Sequence, residues 1–123
     1  MIRGAVNVHR EPVVPLRLRG PTGAVTDIEA VVDTGFTGQL TLPVDLVAAL
    51  GLPEVARKYA ILADGSRASF GIHRAGVWWD GGWRSVYVSG FGDGPLIGME
   101  LLANHTLLIE VVPGGAVAID PRP

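Results

Sequence analysis

The sequence predicts an all-β, barrel-like domain with one proper helix. Three observations lead there. Seventeen Gly and nine Pro in 123 residues imply many turns, which favours short strands over long helices. Valine, a strand-forming residue, is frequent and spread along the whole chain. Turn signals also recur between short apolar runs, twice in close succession. The length is that of one domain, 1–123, able to bury a core but not to divide in two. With 48% hydrophobic and 18% charged residues, disorder is not expected.

Pro12 to Leu18 alternates loosely through Val14, Leu16 and Leu18 and reads as a strand. A turn over Gly20-Pro21-Thr22-Gly23 then leads to a second strand, Val25 to Val32, completing a hairpin. Gln39 to Leu42 is a short strand. The main helix is expected at about residues 43–50. Pro43 suits its first position, Val44, Val47 and Ala48 share a face, and Gly51 can take the left-handed conformation that ends it. Tyr59 to Ala63, Arg67 to Trp79 and Trp83 to Val88 read as strands, with turns at Asp64-Gly65-Ser66 and Asp80-Gly81-Gly82. Leu96-Ile97-Gly98 reads as a short apolar strand followed by a one-turn helix, Met99 to Ala103, stopped at Asn104. Thr106 to Val112 and Ala116 to Ile119 form a closing hairpin, while residues 1–11 have only a weak strand pattern.

Composition narrows the function. The formal charge is −2, and Arg17 and Arg19 form the only close arginine pair, so no basic stripe exists for nucleic acid. The absence of cysteine excludes disulfides, thiolate zinc sites and a cysteine nucleophile. His9, His73 and His105 lack any metal-ligand spacing, so no metal is expected. Ser66, Ser69, Ser85 and Ser89 lack a Gly-x-Ser-x-Gly setting, and the glycine-rich stretch 90–94 contains no lysine and opens no helix. With no apolar region behind its N-terminal charge and no run near the ~18 residues of a membrane span, the chain is expected to be cytoplasmic, with no membrane partner.

The feature that carries chemistry is Asp33-Thr34-Gly35, placed between the run Ile28 to Val32 and the stretch Leu40-Thr41-Leu42. A carboxylate on a tight Thr-Gly turn between buried strands can serve as a general acid or base. The chain has one such triplet, so a two-carboxylate site requires two chains.

In order along the chain come Val32-Asp33-Thr34-Gly35, a Leu-Thr-Leu-Pro segment running into a helix that ends Leu50-Gly51-Leu52, a hairpin with its tip at Ala63-Asp64-Gly65-Ser66, and Leu96-Ile97-Gly98-Met99. With these features the chain resembles the retropepsin-like (retroviral-type, clan AA) aspartic proteases, in their small bacterial and archaeal single-domain branch. The resemblance spans roughly residues 13–119. It implies an acid-protease barrel, a homodimer and an aspartic endopeptidase without cofactor, acting on a peptide or protein substrate. Asp33 and its symmetry mate would share one proton and activate water, Thr34 would tie the two turns together, and Gly35 would let backbone amides approach the carboxylates. Residues 63–66 would form the flap over the substrate, and Leu96, Ile97 and Gly98 the ψ-loop behind the catalytic turn. Phe36 stands where the best-known members carry Ala or Ser. It cannot donate a hydrogen bond to the carboxylate, so activity near neutral pH is expected. The rival reading is a non-catalytic peptide- or protein-binding module of the same fold. Trp78, Trp79 and Trp83 bracket one turn and read as packing residues, and Asp27, Glu29, Asp80 and Asp93 as solvated charges.

Overall fold

A computed structural model describes residues 1–123. It holds ten strands and one helix: β1 (Ile2–Val6), β2 (Pro12–Arg19), β3 (Val25–Val32), β4 (Leu40–Leu42), α1 (Val44–Ala49), β5 (Glu54–Ile61), β6 (Arg67–Trp79), β7 (Gly82–Gly90), β8 (Leu96–Ile97), β9 (His105–Ile109) and β10 (Ala116–Pro121). The hairpins form where glycine and Asx turns were read. At the β6–β7 turn Asp80 and Gly81 both take positive φ, 50° and 91°, the pair that matches strand twist in a two-residue loop. Gly51 closes α1 at φ 63°. Within α1 the buried contact is Val47, whereas Val44 is exposed.

The strands form one sheet in the order β5-β6-β7-β4-β8-β3-β2-β1-β10-β9. The expected barrel is not what forms. The end strands β5 and β9 do not pair with each other, so the ten-stranded sheet stays open. An additional β2–β6 pairing, from Arg17↔Trp78 to Arg19↔Gly76, bends the sheet back on itself without joining those edges. Its inner face carries the core, with Val14, Leu16 and Leu18 of β2, Leu40 and Leu42 of β4, Val77 of β6, Val86 and Val88 of β7, and Val117 and Ile119 of β10. This is the period-2 alternation of strands with one buried face.

Two further expectations are corrected. Met99 to Ala103 is a series of turns, not a helix. Leu102 N–H reaches back to the Gly98 carbonyl, the next bonds are the tighter ones to Glu100 and Leu102, and Asn104 turns left-handed at φ 66°. The strand expected at Tyr59 to Ala63 begins earlier, at Glu54, and ends at Ile61. Its side chains are almost all exposed, so burial leaves no alternation in the sequence to mark its start.

Candidate active site

β3 ends at Val32, and the chain leaves it into the Asp33 turn. Backbone contacts with β8 set the position of that turn. β8 runs parallel to β3 (Val31↔Leu96, Val32↔Ile97) and antiparallel to β4 (Leu40↔Ile97, Thr41↔Leu96). The Asp33 N–H donates to the Ile97 carbonyl at 2.8 Å, which fixes the backbone from behind. The Asp33 carboxylate accepts the Gly35 N–H at 2.9 Å, and the Phe36 N–H closes the turn on the Asp33 carbonyl at 3.1 Å.

The structure therefore brings Leu96 and Ile97 beside the end of β3 and Asp33, and Gly98 against Phe36, Gly38 and Gln39. Thr34 and Gly35 are exposed and Asp33 is half-buried, so the turn presents its polar side outward. No aspartate dyad forms within the chain, and Asp33 lines none of its cavities.

Phe36 plays a part that the sequence does not reveal. Its ring lies against Gly38 and Gly98, where added Cβ atoms would meet ring carbons at 2.6 Å in both cases. Its carbonyl accepts the Met99 N–H at 2.8 Å. Gln39 is the second residue missed. Its carbonyl accepts the Gly98 N–H at 3.0 Å and its side-chain Oε1 accepts the Tyr87 N–H at 2.7 Å, tying the Asp33 loop to β7. Only a long-range register could have disclosed either contact.

Ala63, Asp64, Gly65 and Ser66 lie at the tip of the β5–β6 hairpin. Gly65 takes φ 84°, and the Asp64 carboxylate accepts both the Ser66 hydroxyl and, at 2.9 Å, the Ser66 N–H. Those hydrogen bonds, the hydroxyl first, hold the Asp64 carboxyl below its ordinary range. No hydrogen bond joins this tip to the Asp33 turn. A cavity of about 470 Å³ beside the Asp33 loop is lined by Gly38, Gln39, Val55, Lys58, Tyr87 and Glu100, among others.

The remaining candidates are accounted for locally. Trp79 is buried in the core, while Trp78 and Trp83 meet edge to face at 5.4 Å on the outer side. His73 Nδ1 and His105 Nδ1 lie 3.0 and 2.9 Å from the Leu52 and Ala103 carbonyls. Asp80, read as a solvated charge, instead has a side chain only 20% exposed and stands 3.4 Å from His105 Nε2. No group of three or more His, Cys, Asp or Glu side chains is placed to hold a metal ion. No helix is long and apolar enough to cross a membrane.

The fold is similar to that in the crystal structure of a retropepsin-like aspartic protease from Rickettsia conorii, with a TM-score of 0.55 over 94% of this chain and 88% of that one, at 19% identity. At that identity the likeness is one of fold. No protein-family model and no curated protein matches the sequence.

Proposed function

We propose that the protein is an aspartic endopeptidase, a single domain over residues 1–123, that cleaves peptide or protein substrates as a twofold homodimer. The observation that carries this reading is the outward-facing Asp33-Thr34-Gly35 turn, pinned from behind by Ile97 and with its carboxylate held by the Gly35 N–H. Two such turns meeting across a twofold axis place two carboxylates together. They cannot both ionise cheaply, so they share one proton. The ionised member takes a proton from water as it attacks, and the protonated member hydrogen-bonds the scissile carbonyl. The Thr34 hydroxyls link the two turns. The tip at residues 63–66 closes over an extended peptide, which pairs with its backbone. No step calls for a cofactor or a covalent intermediate.

The test is cleavage of a diverse peptide library by wild type and Asp33→Asn, read by mass spectrometry from pH 4 to 8. The Asn side-chain oxygen still accepts the Gly35 N–H, so the fold is expected to persist. Cleavage should fall by on the order of 10³-fold or more. Equal cleavage by both proteins, or none by a verified wild-type dimer, overturns the proposal.

A further inference from the structure

The outer face of the β2–β6–β7 region carries a polar hollow whose lining includes no residue of the Asp33 turn. Gly76 lies at its floor. In register it stands opposite Arg19 on β2 and Ser85 on β7. Arg74 is two residues earlier on β6 and so on the same face. With no side chain at position 76, a hollow of about 650 Å³ opens between these walls. A Cβ there would come within 3.4 Å of the Arg19 side chain.

The charge of the hollow runs against that of the molecule. The chain is net −2, yet Arg19, Arg74 and Arg84 line this cavity and no Asp or Glu does. None of the three makes a salt bridge, whereas Arg3, Arg17 and Arg57 each do. The guanidiniums of Arg19 and Arg74 are nonetheless held in place. That of Arg19 stacks 4.3 Å from the centre of the Trp83 ring. That of Arg74 donates to the Tyr87 hydroxyl at 3.2 Å and lies 5.0 Å from that ring. Aromatic stacking positions a guanidinium without neutralising it, so its remaining N–H donors stay free for an anion.

We propose that this hollow binds the phosphate group of a small phosphorylated molecule. Arg19 of β2, Arg74 of β6 and Ser85 of β7 all line the hollow, and together they offer more donors than a planar carboxylate can accept from one side. A tetrahedral phosphate presents oxygens to all three. The volume exceeds that of the phosphate alone, and the Trp83 ring supplies a wall for the rest of the ligand.

The experiment is an amide, indole and arginine-side-chain NMR titration of the full chain with pyrophosphate at low salt. Citrate serves as the carboxylate arm. The expected result is a saturable one-to-one shift confined to Gly76, Trp83, Ser85 and the two arginines, with citrate weaker. Arg19→Gln and Arg74→Gln should each weaken binding by about tenfold or more, and Arg10→Gln, outside the hollow, should leave it unchanged. Unsaturable shifts, citrate binding as tight as pyrophosphate, or affinity indifferent to both arginine substitutions each overturn the proposal. The titration reads no cleavage, so its outcome is independent of the proposed protease activity.

Discussion

Gly98 shows how little room surrounds the Asp33 turn. A Cβ there would lie 2.1 Å from the Gly38 carbonyl oxygen and 2.6 Å from the Phe36 ring. Backbone and a ring confined by its neighbours must both move to admit it. Gly98→Ala is expected to lower stability by about 1–3 kcal/mol or more, measured by denaturant unfolding. Gly94 faces open space, so Gly94→Ala should stay within about 0.5 kcal/mol of wild type. Equal effects at the two sites would refute the packing described. At this scale the sequence was partly legible. Asp33-Thr34-Gly35 declares itself by residue type, because a short carboxylate two residues before a glycine can accept that residue's N–H and close such a turn. The fit of Phe36 on Gly98 does not, since it depends on two segments far apart in the chain becoming neighbours through β8.

Among the elements, the β5–β6 hairpin carries a carboxylate whose hydrogen bonds make its tip sensitive to pH. Its tip is organised by Asp64, whose carboxyl is held low by the Ser66 hydroxyl and N–H. A lowered carboxyl in the folded state contributes order that is complete above the ordinary carboxylate range and is lost as pH falls through the lowered value. The Ser66 amide is therefore expected to stay protected from exchange above about pH 4 and to lose protection below it. Asp64→Asn should remove that pH dependence. A Ser66 amide indifferent to pH, or one that gains protection on acidification, contradicts the assignment. Hairpins of this kind were legible because Gly65, Asp80 and Gly81 mark the positions where φ must be positive. The start of β5 was not, because a strand with both faces in solvent has no reason to alternate. The one-turn helix expected after β8 does not form. Met99 and Glu100 have helical composition, but their N–H groups are bound to the Phe36 and Gly38 carbonyls, and Asn104 stops the turn before a second one forms.

For the whole molecule, the consequential feature is an open sheet with two free edges, β5 and β9. Strand patterning told which side chains face inward but not whether the outermost strands meet. Closure is decided by strand tilt and edge pairing, which alternation does not encode. The N-terminal strand β1 shows the same limit. Its pattern is weak, yet it is held between β2 and β10, with Ile2 to Ala5 in register against Ile119 to Ala116. Because β10 thus joins β1 to β9, its fully buried Ile119 should matter to the entire fold. Ile119→Ala is expected to cost about 2–5 kcal/mol in cooperative unfolding, whereas a cost below about 1 kcal/mol would mean that this end of the sheet is not part of the core.

The proposed dyad needs Asp33 from two chains, which subunit mixing can reveal. Wild-type protein is combined with increasing amounts of Asp33→Asn, allowed to exchange subunits, and assayed for cleavage at constant total concentration. If each site needs Asp33 from both chains, activity falls as the square of the wild-type fraction, leaving about a quarter at equal proportions in a twofold dimer with random pairing. Activity that falls only in proportion to the wild-type fraction, about half at the same point, would mean that each chain acts on its own, and about three quarters that one Asp33 per dimer suffices; either result overturns the shared dyad.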